Sequence, residues 1–234
     1  MPLLIKEIFE LKMEKQICIE GRGIPFNQVL EASRIIPYAS DVSVMFKMLF
    51  LTGCRITELN SMKKSKLIGN VVYWPLGKNQ RTWRKEILPD FYIKELMEYR
   101  ATHRVYQDRL FGISHFTFKR YFNRDIRPLL PPEWHKKDLR INGKMCKWEY
   151  KYNLRGMRKS YQTLIFKQEL DKWKDSHVAV LFTSKRMRHS STHITAYHYL
   201  CNFDELKIAE LKHLSPAKIL AQTLAQTRIS DFIT

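Results

Sequence analysis

The chain predicts a mixed α+β fold, mainly α-helical, with a small antiparallel β-hairpin. Three observations predict it. Apolar residues recur at helical spacing in separate stretches, for instance Val42, Met45, Phe46 and Leu49, and again Met157, Tyr161, Leu164 and Ile165. The runs Val71-Val72-Tyr73-Trp74 and Trp83 to Leu88 flank the turn-forming Gly77-Lys78-Asn79-Gln80, the pattern of a hairpin. Apolar residues make up 44% of the 234, enough for one good core or two small domains.

The elements follow in order. Residues 3–16 form a short charged amphipathic segment, which Gly21-Arg22-Gly23 breaks. Pro25 suits the first turn of a helix running to Ile36, and Pro37 ends it. Ser40 or Asp41 caps the next helix, and Gly53 closes it. From Arg55 a further helix buries Ile56, Leu59 and Met62 and carries Lys63, Lys64 and Lys66 outward. Gly69-Asn70 turns the chain into the hairpin, Pro89 starts the exit, and a helix follows to about Arg100. Ser114 to Arg127 reads as a basic, aromatic helix, and Pro128, Pro131 and Pro132 as a loop. Residues 139–152 suggest a second small hairpin around Asn142-Gly143. A helix starts near Arg155 and shorter helices follow to Leu214. Ser215-Pro216 opens a last one with Ile219, Leu220, Leu224 and Ile229 on its apolar side.

The charge is lopsided. Forty-one Lys and Arg stand against 23 Asp and Glu, a formal net charge of +18, which points to a polyanionic partner, nucleic acid first. The basic residues cluster. Lys136, Lys137, Arg140, Lys144, Lys147, Lys151, Arg155, Arg158 and Lys159 are interleaved with Trp148, Tyr150 and Tyr152, a pattern suited to following a phosphate backbone more than to reading base edges. Lys119, Arg120, Arg124 and Arg127 form a second basic face. The cysteines, Cys18, Cys54, Cys146 and Cys201, make no CxxC knuckle, and no His pair stands near them. They read as buried thiols in a reducing compartment, and no metal site is expected. Lys6, Glu7, Glu10 and Lys12 interrupt the N-terminal apolar residues, so no signal peptide is visible, and no run of about 18 apolar residues offers a membrane span. These features lead us to expect an intracellular, DNA-associated protein without metal or cofactor, in a host compartment the sequence leaves open.

Four motifs carry candidate chemistry. Thr52-Gly53-Cys54-Arg55-Ile56-Thr57-Glu58-Leu59 plants an arginine just after a glycine break. Lys78 follows 23 residues later in the hairpin turn, between Val72-Tyr73-Trp74-Pro75-Leu76-Gly77 and Arg84-Lys85-Glu86-Ile87-Leu88-Pro89. Tyr152-Asn153-Leu154-Arg155 stands at a predicted helix start. Met187-Arg188-His189-Ser190-Ser191 precedes Thr195-Ala196-Tyr197-His198-Tyr199.

In that order the four resemble the boxes of the tyrosine recombinases: TG-x-R-[IV]-[ST]-E-L, a hairpin lysine, H-x-L-R, and L-G-H-S-S with a following tyrosine. The resemblance covers roughly residues 25–203. It implies Arg55 and Arg155 as the two catalytic arginines, with Arg158 the alternative to Arg155 one turn on. It implies Lys78 as the hairpin lysine, His189 as the last-box histidine, and Glu58 as a buttress for Arg55. Tyr152 takes the place of the family's usual histidine. A phenol with a pKa of about 10 is a poor general base at neutral pH, but it can donate a hydrogen bond to a phosphate oxygen. Arg188 replaces a glycine. The nucleophilic tyrosine usually lies nine residues after the histidine, where this chain has His198. Tyr199 is favoured, because Thr195 precedes it by four and its His-Tyr-Leu context resembles archaeal-virus integrases. Tyr197 is the alternative. The gap from Arg155 to His189 is longer than usual, so a loop or extra turn is expected near Asp171 to Ser176.

The resemblance implies the tyrosine recombinase catalytic-domain fold, with its small sheet on one edge, over residues 25–203. Residues 1–24 are an N-terminal segment and residues 204–234 a helical tail that subunits exchange or that packs on its own core. It implies metal-free breaking and rejoining of double-stranded DNA through a covalent phosphotyrosine, by a homo-oligomer that is a tetramer in the synaptic complex. Two arginines would supply fixed charged donors to the phosphoryl oxygens, each worth about 3–4 kcal/mol in a transition state of this kind. The family's helical core-binding domain has no counterpart ahead of Pro25. This leads to the expectation of a minimal form from a virus or mobile element, or of a separate clamping partner. A type IB topoisomerase or a telomere resolvase shares the chemistry. An inactive DNA-binding protein on the same fold is the alternative from another class.

Overall fold

The computed structural model describes residues 23–75, 83–137, 140–141, 144–145, 149–150 and 152–187. Among these, residues 26–130 form one compact unit, and residues 23–25 with 131–187 form another.

The first unit is built around a single buried helix. Helix α1 (Phe26–Ile35) turns its Phe26, Val29 and Ala32 inward. Helix α2 (Asp41–Thr52) starts at Ser40, whose hydroxyl accepts the Ser43 N–H at 3.1 Å. It ends at Gly53, which adopts the left-handed conformation (φ 58°) and donates its N–H to the Leu49 carbonyl at 2.9 Å. One apolar face is expected of α2, but every residue from Val42 to Thr52 is buried. Its neighbours explain this: α1, helix α3 (Asp90–Thr102) and helix α4 (His115–Tyr121) all pack on it. Phe46 stacks on Phe122 (centroids 5.7 Å, 11°), and the Tyr92 hydroxyl donates to the Val44 carbonyl at 2.7 Å.

Three strands follow in the order β1 (Leu67–Ile68), β2 (Val71–Pro75), β3 (Trp83–Ile87), all antiparallel. The predicted hairpin is therefore present in β2 and β3. Val72, Trp74 and Arg84 alternate inward with exposed or half-buried neighbours. Strand β1 is only two residues long and carries no periodic signal of its own.

Two predicted helices differ from expectation. The segment after Arg55 is a 3₁₀-helix (Ile56–Ser61) followed by a separate turn (Lys64–Lys66). The Glu58 N–H donates to the Arg55 carbonyl at 2.8 Å, an i to i+3 bond, and the Ser61 hydroxyl takes up the Glu58 carbonyl at 2.7 Å. Leu59 and Met62 are buried as expected, whereas Ile56 is only half-buried. The predicted helix over 114–127 is α-helical only to Tyr121. It widens into a π-helical turn (Phe122–Ile126) and tightens into a 3₁₀ turn (Arg127–Leu129). Pro128 has no N–H for an α-helical bond, so the ladder has to change there.

The second unit contains the second hairpin predicted for residues 139–152: β5 (Arg140–Ile141) pairs with β6 (Lys144–Met145), and β4 (Lys136–Lys137) with β7 (Glu149–Tyr150). Helix α5 (Gly156–Trp173) stops at Lys174, in the left-handed region at φ 56°. Helix α6 (Ser176–Met187) begins after Asp175, whose carboxylate accepts the His177 and Val178 N–H groups at 2.8 and 3.0 Å. Those bonds hold the Asp175 carboxyl below its usual pKa. The break falls inside the predicted Asp171–Ser176 interval. The two helices bury Tyr161 and Ile165 with Met187, and Phe166 with Ala179. Ser160 ties residues 23–25 to α5, accepting the Ile24 N–H at 2.8 Å and donating to the Ile24 carbonyl at 2.7 Å. The amphipathic segment 3–16, the part beyond Met187 of the shorter helices expected to Leu214, and the tail helix from Pro216 lie outside the described residues.

Candidate functional site

Arg55 stands where the αL turn of Gly53 releases the chain from α2, as the cap of the 3₁₀-helix. Its Nη1 donates to Glu58 Oε1 at 2.8 Å, and its backbone N–H donates to Glu58 Oε2 at 2.9 Å. Glu58 also accepts the Trp74 Nε1–H on Oε2 at 3.3 Å. The Glu58 side chain is 6% exposed and that of Arg55 is 51% exposed, so the carboxylate is a buried anchor and the guanidinium an open donor. A carboxylate that deep needs several donors to offset its lost hydration, and three N–H groups supply them. The expected pairing of Arg55 with Glu58 is therefore formed. Trp74 is an addition that the sequence signalled only through its inward register beside Val72.

The basic face of α4 is partly as expected. Lys119, Arg120 and Arg124 are exposed. Arg120 and Arg124 lie over the Tyr121 ring at 5.5 and 5.1 Å, and Arg124 is bidentate to Asp125 at 2.5 and 2.7 Å. This pair faces water and adds little stability. Arg127 departs from the expectation. It is 6% exposed, lies over the Phe122 ring at 5.4 Å and donates from Nε to Asn123 at 2.9 Å, because the 3₁₀ turn at Pro128 rotates it into the unit.

In the second unit Arg155 is the exposed residue at the start of α5, where the Asn153 side chain accepts the backbone N–H groups of Arg155 and Gly156 at 2.9 and 3.1 Å. Arg158 is half-buried, and its Nη2 donates to the Met187 carbonyl at 3.0 Å, at the end of α6. Lys159 is half-buried as well. Tyr152 is 6% exposed and packs edge-on to Trp134 (centroids 5.7 Å, 68°), while its backbone N–H donates to the Glu133 carbonyl at 3.1 Å. Lys136, Lys137, Arg140 and Lys144 lie on the short strands β4, β5 and β6. Lys78, Lys147, Lys151, His189, Tyr197 and Tyr199 lie outside the described residues.

Among the described residues no group of three or more His, Cys, Asp or Glu could hold a metal ion, and no helix is long and apolar enough to cross a membrane.

No protein-family model matches the chain, and no curated protein does. Solved structures do. The XerH site-specific recombinase bound to palindromic difH substrate, a post-cleavage complex, is 17% identical with a TM-score of 0.50, over 82% of this chain and 53% of that one. XerH bound to difH substrate in a pre-cleavage complex is 16% identical with a TM-score of 0.51, over 81% and 51%. The chain spans about half the length of these XerH chains. At such identities the likeness is one of fold, and the fold is that of the tyrosine recombinase catalytic domain, mainly helical with a small antiparallel sheet.

Proposed function

We propose that on this fold the chain works as a site-specific DNA recombinase or integrase. It breaks and rejoins double-stranded DNA through a covalent 3′-phosphotyrosine. The observation that carries this reading is the open guanidinium of Arg55, held from behind by the buried Glu58. Such an arrangement presents fixed charged donors and needs no reorganisation when a phosphate arrives.

The chemistry follows from the residue types. The Tyr199 phenolate, its proton lost to solvent, attacks the scissile phosphorus and forms the phosphotyrosine. The bond to the 5′ oxygen breaks, and Lys78 protonates that oxygen as it leaves. Arg55 and Arg155 bind the non-bridging oxygens, where negative charge gathers, and His189 and Tyr152 add hydrogen bonds. Rejoining is the reverse, with the phenolate as leaving group. Charge is neutralised by guanidinium groups, so the scheme calls for no metal. The Lys119, Arg120 and Arg124 face, with the basic run from Lys136 to Lys159, follows the duplex backbone. Recombination brings two sites together, which calls for a homo-oligomer on DNA, a tetramer in the synaptic complex. An origin in a virus or mobile element and action inside a cell belong to the same reading.

A library of nicked random duplexes, incubated with the protein and resolved under denaturing conditions, tests it. Covalent adducts are expected with the unaltered protein and with Tyr197→Phe, and none with Tyr199→Phe. An adduct surviving in Tyr199→Phe but lost in Tyr197→Phe would transfer the nucleophile's role to Tyr197. Binding through lysines and arginines releases condensed counterions. Duplex affinity is therefore expected to fall about a thousandfold between ~50 and ~200 mM salt. An affinity that held steady across that range would reject backbone-led binding.

One observation favours a second reading, a DNA-binding protein that does not cleave. Tyr152 is buried against Trp134, where the recombinase pattern places an available histidine. Salt-dependent binding with no adduct from any sequence in the library would establish it.

A further inference from the structure

We infer that Trp74 is a positioning residue for Arg55 and the root of the Lys78 hairpin, joining them through Glu58. This rests on the reading above that Arg55 engages the scissile phosphate.

The inference starts from how Glu58 is held. Oε1 takes the Arg55 guanidinium at 2.8 Å, while Oε2 takes two fixed donors, the Arg55 backbone N–H at 2.9 Å and the Trp74 indole N–H at 3.3 Å. A carboxylate with one oxygen pinned by two N–H groups cannot rotate freely. The position of Oε1, and so of the guanidinium it holds, is set from behind. Trp74 is 0% exposed, and an indole N–H is a donor only. In this interior it has a charged acceptor, at 3.3 Å, the long end of hydrogen-bond distances.

The other side of Trp74 belongs to the hairpin. Trp74 pairs in register with Arg84 across β2 and β3, the strands that enter and leave residues 76–82, in which Lys78 lies. The Arg84 guanidinium lies over the Trp74 ring at 5.3 Å and is 3% exposed, and its Nη2 donates to Glu86 at 3.1 Å. Both strands are thus fastened at the indole, and the indole is fastened to the carboxylate that aims Arg55. A displacement of the hairpin root would move the indole N–H, then Oε2, then the guanidinium. Arg55 and the paired strands β2 and β3 would therefore share one rigid base, as a pre-organised phosphate site requires.

Trp74→Phe tests this, because it removes the N–H and keeps a ring for Arg84. The rate of adduct formation at saturating DNA is expected to fall about 10-fold, on the scale of one hydrogen bond to a charged group. Duplex affinity is expected to stay within about twofold. An indole that merely needed a buried acceptor would leave the cleavage rate unchanged, and that result would overturn the inference. A second readout is independent of cleavage. The Trp74 indole N–H resonance, recognised by its loss in that variant, is expected to shift in Glu58→Gln and in Arg55→Ala. An unmoved resonance in Arg55→Ala would break the link. A shifted resonance in a protein that never forms an adduct would leave the link standing and overturn the proposed function instead.

Discussion

Arg55→Ala is expected to slow covalent adduct formation by about 10²- to 10³-fold, the range for removing one preorganised charged donor from a transition state. Affinity for duplex DNA is expected to fall far less, since many lysines and arginines share the binding of the backbone. The contrast between the two numbers separates a residue that touches the reacting phosphate from one that only adds positive charge. Arg55→Lys is expected to recover only part of the rate. An ammonium keeps the charge but lacks the planar fork that can engage Glu58 through one nitrogen and would hold a phosphate oxygen through another. Time courses of adduct on denaturing gels, with circular-dichroism melts of each variant, make the measurement. A rate within threefold of the unaltered protein would remove Arg55 from the chemistry.

Arg55 also marks how far the sequence alone could be read. Ser40, Gly53 and Pro37 set helix ends through local chemistry, and the structure places those ends where the residues put them. The hairpin was legible because its two strands alternate about a turn-forming segment, and the Lys174 break because the Arg155 to His189 interval is longer than the usual spacing of the two boxes. The Arg55–Glu58 pair was legible because three residues is one turn. What escaped depended on partners distant in sequence. The turn after Arg55 is 3₁₀ rather than α, and its Glu58 accepts from Trp74, 16 residues away. Arg127 falls on the same predicted helix as exposed arginines, but a π turn and a proline rotate it against Phe122. Lys47 looks like any helical lysine, yet α2 is enclosed on all sides and leaves it no route to water.

Lys47 provides the largest expected effect on stability. Its ammonium reaches both oxygens of Glu95, at 2.9 and 2.7 Å, with side chains 2% and 0% exposed. The Glu95 Oε1 atom also accepts the Ser43 hydroxyl at 2.5 Å and the Ala39 N–H at 3.3 Å, and the ammonium stands 5.5 Å from the Tyr38 ring centroid. Lys47→Met would leave a carboxylate in the core with neutral donors alone. Breaking one partner of such a pair costs about 3–5 kcal/mol, which for a chain of this length lowers Tm by roughly 6–20 °C. Glu95→Gln strands the ammonium instead, and a loss of the same order is expected. The double variant Lys47→Met with Glu95→Gln removes both charges, and the new amide oxygen can still accept from Ser43 and Ala39. It is expected to recover most of the loss, because the desolvation of both ions disappears with their attraction. Urea melts of the four proteins close the cycle. Two single variants that each lose less than about 1 kcal/mol would show that water reaches the pair. The placement explains why a costly pair would be kept. It joins α2, which ends at Gly53 two residues before Arg55, to α3, which starts at Asp90 after the hairpin's exit strand. Apolar side chains at positions 47 and 95 could hold the two helices together as strongly, but would allow them to slide. A bidentate ion pair fixes their register, and with it the distance between the end of α2 and the exit of the hairpin. The double variant is therefore expected to regain its melting point while its rate of adduct formation stays below that of the unaltered protein.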